Sequence, residues 1–527
     1  MHARGSRLGD WLRGSVPVVH ALVLLAALIV PAYAAYDALK ALLDPTDAAP
    51  RAALVDISRW GLLLRNTAIV CGVGLLVAAT AGGGLGLLVT RTNLPGRGLL
   101  LAAALFGACV PVYVSLTFVF SAIPLISAMN SAVACGLLYG LVYTPLALLV
   151  LGATFWSADR ELEEAALLDA TPTRVLWRVT LPAAAWGFIV LAVVLVLLIV
   201  TDSTIGDLLG VRTFAEEVRS QYALAGRRAG PLLTGLPVLL VLAALLVAAQ
   251  ARYRLVGEQT PWQFGARPRV FSLGRWRWVL ALTLAACLLA GLGTLAWALA
   301  RHLTPWELVT AAAWDLRGEL GLSALLAVAG ATAAVLPASG LAWGLARGGR
   351  RGWVAGAAVV VLLAVPAPVA AISLIGLLNR PGWPGAVYDS AAIVVLGYFV
   401  RFLPVAVLLL VPGVRRVPRD AERAARVDGC DWSREHWHVR LPALLPDVAL
   451  AWLVLVIFSF AELGATLLLA PPGVTVAAVR AFTLLHFGVY RDVAVLAVLS
   501  VGLIVVPWAL LMLLLWRGHW RRLREGA

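Results

Sequence analysis

Long apolar runs separated by short arginine-rich segments dominate this 527-residue chain. A helix needs about 20 apolar residues to cross the hydrocarbon core of a bilayer, which is about 30 Å thick. Runs of this length define the predicted spans, which cover residues 16–38, 67–90, 98–122, 131–155, 183–202, 231–250, 276–300, 320–345, 353–378, 390–412, 447–469 and 491–516. The pattern predicts an all-α integral membrane protein of about 12 transmembrane helices.

Composition supports a membrane location. Hydrophobic residues make up 61% of the chain and charged residues only 13%, whereas about a quarter of a soluble domain is charged. So little charge cannot cover a soluble surface of this size, so the surplus apolar side chains must face lipid. The formal net charge is +14, but the arginines form short clusters between apolar runs, so we expect no nucleic-acid partner.

Arginine placement predicts the orientation. With both termini in the cytoplasm, the cytoplasmic segments hold 28 of the 42 lysine and arginine residues and the outer loops hold 13, while Arg401 lies within a span. This bias follows the positive-inside rule. The single lysine, Lys40, follows no glycine-rich loop. Because a P-loop needs a lysine to reach the phosphates, we expect any ATP hydrolysis on a separate subunit, and no catalytic residue, cofactor or metal site in this chain.

An internal repeat relates the two halves. The sequence from Trp177 to Pro182 recurs 260 residues later from Trp437 to Pro442, with Trp, Val, Leu and Pro all retained. Further matches in the same order pair Gly84 with Gly340, Arg91 with Arg347, and Tyr139 with Tyr398. Because the copies lie six predicted spans apart, both halves should share one orientation. We predict repeats over 1–250 and 276–527, joined by a basic linker over 251–275.

Two long loops on the arginine-rich side carry the most informative pattern. They cover residues 161–182 and 420–442, and each begins with an acidic, alanine-rich stretch of the kind that favours a helix. A turn follows, then a second amphipathic helix that ends at Leu181-Pro182 or Leu441-Pro442.

These loops resemble the EAA motif of binding-protein-dependent ABC importer permeases, in which Glu-Ala-Ala, three residues and Gly precede Leu-Pro by about twelve residues. Counting back from each proline, Glu163-Glu164-Ala165 and Arg423-Ala424-Ala425 take the Glu-Ala-Ala positions. Asp169 and Gly429 take the glycine position, so Asp169 and Arg423 depart from the family pattern.

The resemblance implies that both loops couple the chain to an ATPase. Residues 158–182 and 418–442 would each dock in a cleft of one of two copies of a cytoplasmic ATPase. It also implies an extracytoplasmic solute-binding protein and a multi-pass location in the bacterial inner membrane, in contact with lipid. Because one chain carries both units, it looks like the fused permeases of ferric-iron and thiamine importers. The implied coupling residues are Glu163, Glu164, Ala165, Asp169, Leu181, Pro182, Arg423, Ala424, Ala425, Asp428, Gly429, Leu441 and Pro442.

Three ionisable residues at membrane depth are candidates for the translocation pathway. Asp202 and Glu462 stand 260 residues apart near the outer end of equivalent spans, and could form an acidic gate or cation site, or simply be solvated at the lipid boundary. A central arginine is costly to insert, so Arg401 favours a partner inside the bundle over contact with substrate.

The substrate hints are weaker than the family resemblance. The stretches 460–466, 471–473 and 486–488 look like the second half of iron-type members, and ferric iron is the first expectation. Thiamine, polyamines and small anions stay open. A twelve-helix carrier driven by an ion gradient is the main alternative function, followed by an intramembrane enzyme; the paired loops argue against the carrier.

Overall fold

The computed structural model describes residues 6–43, 56–110, 129–156, 160–225, 240, 244, 271–347, 349–430 and 432–506. Within these ranges the secondary structure is helical, apart from turns, bends and one isolated bridge between Thr92 and Phe271. The longer helices are Ser6–Leu43, Ile57–Arg91, Arg97–Cys109, Ser131–Trp156, Ala185–Thr201, Phe214–Ala225, Trp276–Ala300, Arg317–Arg347, Gly349–Ala364, Ala367–Leu378, Ala392–Arg416 and Leu441–Ala461.

Short helices fill the connections between these long ones. They are Arg160–Asp169, Pro172–Val175, Leu181–Ala183, Thr204–Leu208, Trp306–Asp315, Trp383–Tyr388, Arg419–Val427, Trp432–Glu435, Thr466–Leu469 and Ala477–His486. Two five-residue π-helices, Leu176–Thr180 and His436–Arg440, lie 260 residues apart at equivalent places in the two halves.

The predicted fold class is confirmed. Six described helices are long and apolar enough to cross a membrane, and the number rises to eight if each of two bent helix pairs is one span. The predicted span 353–378 is one such pair, bent by 99° between Ala364 and Ala367. The bend falls at Pro366, where a proline disfavours helical backbone at the residue before it. The predicted span 231–250 lies almost entirely outside the described residues, and 98–122 and 491–516 lie partly outside them.

The chain forms two compact units, and each one combines segments from both predicted repeats. One unit comprises Met1–Ile57, Glu217–Val247 and Gly321–Val476; the other comprises Ser58–Glu216, Ala248–Leu320 and Ala477–Ala527. In the first of these, helix Ser6–Leu43 packs against helices Gly349–Ala364 and Ala367–Leu378. The division into repeats at 250 and 276 remains a prediction.

Small residues bring two helices of the second unit into close contact. A Cβ atom at Gly82 would overlap Ala147, and one at Gly86 would overlap the backbone of Gly152. Glycine at these positions lets helix Ile57–Arg91 approach helix Ser131–Trp156 closely, as small residues do in membrane helix pairs. The close packing also brings the ends of the two helices together, which places Arg91 beside Phe155.

Candidate functional site

Both EAA-like loops fold as a helix, a turn and a second helix that contains a π turn. We call residues 160–183 the first coupling segment and residues 419–442 the second coupling segment. In each, the leucine before the proline donates its N–H five residues back, from Leu181 to the Leu176 carbonyl and from Leu441 to the His436 carbonyl. The following proline has no N–H, so the regular helical hydrogen bonds cannot continue through this point. Such π turns occur often at functional sites.

A buried acid anchors the first coupling segment. The Glu163 carboxylate forms an ion pair with Arg91, and both side chains are almost completely buried. The Thr180 hydroxyl donates to Glu163 Oε1 at 2.6 Å, so the acid also joins the segment's two helices. Arg91 Nη1 donates to the Phe155 carbonyl at 3.2 Å. Arg91 therefore connects the ends of two long apolar helices to the coupling segment through charge-assisted hydrogen bonds, which are stronger than neutral ones.

Glu422 takes the same place in the second coupling segment. It forms an ion pair with Arg347, the last residue of helix Arg317–Arg347, and Trp343 Nε1 donates to its Oε2 at 3.3 Å. Arg440 Nη2, in the second π turn, lies 3.6 Å from the same carboxylate. Arg347 Nη2 also donates to the Val417 carbonyl at 2.9 Å, at the end of helix Ala392–Arg416.

These contacts set a register that differs by one residue from the count based on the prolines. Glu163 corresponds to Glu422 in the structure, whereas the proline count places Glu163 opposite Arg423. Helices Arg160–Asp169 and Arg419–Val427 align through these acids at an offset of 259, while the π turns align at 260. The second segment therefore holds one extra residue in its turn, where Gly429 adopts a φ of 77°. Neither Asp169 nor Ala170 has a positive φ in the first segment.

The other predicted coupling residues lie mostly at the surface. Glu164 and Arg423 are partly or largely exposed, and each pairs within its own helix, with Arg160 and Asp420 respectively. Glu163 and Ala425 are buried and Leu181 and Leu441 are half-buried, whereas the remaining predicted positions are exposed: Ala165, Asp169, Pro182, Ala424, Asp428, Gly429 and Pro442.

Two exposed apolar positions recur in both segments and were not predicted as coupling residues. Leu168 and Val427 are each 86% exposed near the end of the first helix. Trp177 and Trp437 are 70% and 57% exposed in the two π turns. Both segments therefore present large apolar side chains that the described residues leave uncovered. The tryptophan pair was visible in the sequence as part of the internal repeat. The pair of Leu168 and Val427 is recognised only from the exposure of their side chains in the structure.

Glu462 and Asp202 organise equivalent short turns at the far end of each half. Arg401 Nε lies 2.6 Å from Glu462 Oε2, with both side chains largely buried, so the partner expected for Arg401 inside the bundle is Glu462. The other oxygen of Glu462 accepts the Ala465 N–H at 3.0 Å. Asp202 Oδ1 accepts the N–H and hydroxyl of Thr204 at 2.8 and 2.6 Å.

The paired tyrosines contact the same turns. The Tyr139 hydroxyl donates to the Asp202 carbonyl at 3.2 Å, and the Thr466 hydroxyl donates to the Tyr398 hydroxyl at 3.1 Å. The turns therefore share a supporting aromatic residue. Glu462 also forms the ion pair with Arg401, and the stretch of the first half that corresponds to Arg401, around Leu141, is apolar.

Comparison with known proteins shows what parts of the chain are similar to. Residues 335–525, which include the second coupling segment and Glu462, match the family described as binding-protein-dependent transport system inner membrane component. The second half of the chain is therefore similar to an inner membrane component of such a transport system. A stretch of 217 residues, 40% of this chain, is 25% identical to the putrescine transport system permease protein PotI of Escherichia coli K12 and covers 76% of that protein; PotI of E. coli O6:H1 gives the same values. Together with the candidate membrane spans, this similarity supports a multi-pass inner membrane protein.

Proposed function

We propose that this chain is the permease of a binding-protein-dependent ABC importer, with two permease units fused in one polypeptide. The observation that carries the proposal is the repeated buried acid. Glu163 and Glu422 each tie an EAA-like segment to the last residue of a long apolar helix, Arg91 or Arg347. One such connection per half is what a pair of ATPases needs to act on both halves.

The geometry suggests how force would pass through each connection. Docking of a cytoplasmic ATPase would cover the exposed apolar side, formed in the first segment by Leu168 and Trp177. Movement of that surface would carry Glu163 with it, because the acid belongs to the same helix. Removing one partner of a buried ion pair costs about 3–5 kcal/mol. The Glu163–Arg91 pair would therefore hold, and helix Ile57–Arg91 would move together with the segment.

The other components of the importer would be separate proteins. Two copies of the ATPase would bind and hydrolyse ATP, and an extracytoplasmic binding protein would deliver the solute to the opposite side. The chain itself would bind no cofactor, and both of its termini would lie in the cytoplasm, as the arginine distribution predicts.

For the substrate we propose a small cationic solute, with a polyamine ahead of ferric iron. The similarity to a putrescine permease favours the polyamine. Asp202 and Asp207 are acidic side chains in the outer turn of the first half. Asp207 Oδ2 lies 3.1 Å from His486 Nε2, and Glu462 forms an ion pair with Arg401. Asp202, Glu462 and Arg401 remain candidates for the translocation pathway.

Reconstitution in liposomes tests the proposal. The permease with its ATPase, ATP inside and loaded binding protein outside should accumulate radiolabelled putrescine, and omission of ATP or the ATPase should abolish uptake. Labelled ferric iron and thiamine, each with its own binding protein, serve as competing cargoes. Uptake by the chain alone, driven by an imposed ion gradient, would instead establish the secondary-carrier alternative.

A further inference from the structure

The end of the basic linker is hydrogen-bonded to the first half beside Arg91. The Phe271 N–H donates to the Arg91 carbonyl at 2.8 Å, and the Asn93 N–H donates to the Phe271 carbonyl at 3.4 Å. The Asn93 side-chain oxygen accepts the Leu273 N–H at 3.0 Å. These three bonds hold the linker backbone at Phe271 and Leu273 beside residues 91–93.

The Phe271 ring then lies against the buried arginine of the first coupling site. Its centroid is 5.9 Å from Arg91 Cζ, within the range of a cation–π interaction. Arg91 is fully buried and has Glu163 as its charged partner. A guanidinium that lies against an aromatic ring while it bonds a carboxylate is restricted in orientation by both groups.

In the second coupling site, the aromatic ring that lies against the arginine belongs to the same half of the chain. The Trp343 ring lies 5.2 Å from Arg347 Cζ and 4.9 Å from Arg440 Cζ, while its indole N–H bonds Glu422. Trp343 precedes Arg347 by four residues. The residue four before Arg91 is Leu87, so the first half lacks an aromatic side chain at this position and the linker provides one instead.

We propose that Phe271 is a positioning residue of the first coupling site, through which the linker between the repeats orients Arg91 toward Glu163. The inference rests on the proposed coupling function. In this assignment the linker contributes to the function of the permease, because Phe271 places an aromatic ring against Arg91 where the first repeat has Leu87 at the position of Trp343. Packing of Leu273 and helix Trp276–Ala300 against Val89, Leu94 and Leu100 keeps this end of the linker in place.

The test compares Phe271→Ala with Phe271→Ala/Leu87→Trp, which moves the aromatic group to the position it has in the second half. The free energy of a desolvated cation–π contact changes an equilibrium constant by a factor of about 5–30. We expect Phe271→Ala to lower ATP hydrolysis stimulated by the binding protein at least fivefold while ATPase copurification is retained. Leu87→Trp should restore most of the loss. Full stimulation in Phe271→Ala, or a loss without recovery in the double variant, would overturn the assignment.

A second measurement does not depend on transport. Thermal unfolding in detergent is recorded for Phe271→Leu, for Glu163→Gln and for the variant that combines both. The matched control is a second cycle in which Trp343→Leu replaces Phe271→Leu. If Phe271 acts through Arg91, its effect should shrink in the Glu163→Gln background, whereas the Trp343 effect should add independently. Additive effects of Phe271→Leu and Glu163→Gln would contradict the inference. If the wild-type chain fails to bind any ATPase but the cycle is non-additive, the proposed function fails and the positioning role survives.

Discussion

Arg91 and Glu163 lie 72 positions apart and form an ion pair in which neither side chain is exposed. One residue ends a long apolar helix and the other belongs to a coupling segment. Glu164, the next residue, forms only an exposed pair with Arg160 in its own helix. Adjacent glutamates in one motif therefore have different roles: Glu163 connects the segment to the bundle, and Glu164 faces outward, where a partner could bind.

This difference predicts unequal costs of neutralisation. Glu163→Gln leaves Arg91 buried without its counter-charge, and we expect the free energy of unfolding to fall by about 3 kcal/mol. Glu164→Gln removes an exposed pair of adjacent helical turns and should cost about 0.3–0.5 kcal/mol. Thermal or denaturant unfolding in detergent measures both values. Equal effects at the two positions would mean that the buried pair contributes no more than the surface pair.

The sequence predicted the helical membrane class and the two-helix form of both coupling segments. It did not predict the ion pairs that join each segment to the end of a long helix. Arg91 and Arg347 were recognised as a repeated pair, yet no local pattern names Glu163 and Glu422 as their partners, because these contacts join residues far apart in the chain. The one-residue difference between the turns was also hidden, since only the prolines fixed the count. The bend at Pro366 was missed because apolar length alone cannot distinguish a straight span from two packed halves.

The exposed apolar positions predict where the ATPase binds. We expect Leu168→Asp together with Val427→Asp to abolish copurification with the ATPase, because each charge would have to be buried at the interface. Both side chains are 86% exposed, so stability in detergent should change by less than about 0.5 kcal/mol. Trp383→Asp, at a position 77% exposed in a predicted outer loop, is the matched control and should keep the ATPase bound.

Charge reversal tests the outward-facing motif positions separately. Glu164→Lys combined with Ala424→Glu should also abolish copurification with the ATPase while the chain still inserts, because both positions lie on the exposed sides of the coupling helices. The pull-down is repeated at high ionic strength, where exposed charges are screened. ATPase binding at wild-type level and unchanged transport would remove both residues from the coupling surface.

The turn of the second segment predicts a local backbone effect. Gly429 has a φ of 77°, and a residue with a Cβ atom is disfavoured there by about 1–2 kcal/mol. We expect Gly429→Ala to lower the free energy of unfolding by that amount and to weaken ATPase binding. The control is Gly344→Ala, at a helical position where a Cβ atom has open space. It should be neutral or slightly stabilising, since alanine favours a helix more than glycine does.

Arg401 and Glu462 predict an outcome that separates a structural pair from a transport site. Their side chains lie 2.6 Å apart and are largely buried, so either single substitution, Arg401→Leu or Glu462→Gln, should lower stability by about 3–5 kcal/mol. The double variant leaves no unpaired charge and should recover most of that loss. If the pair is structural, the double variant also keeps the wild-type KM for uptake. A large increase in KM in the stable double variant, matched by Asp202→Asn in the other half, would instead place these residues on the path of a cationic solute.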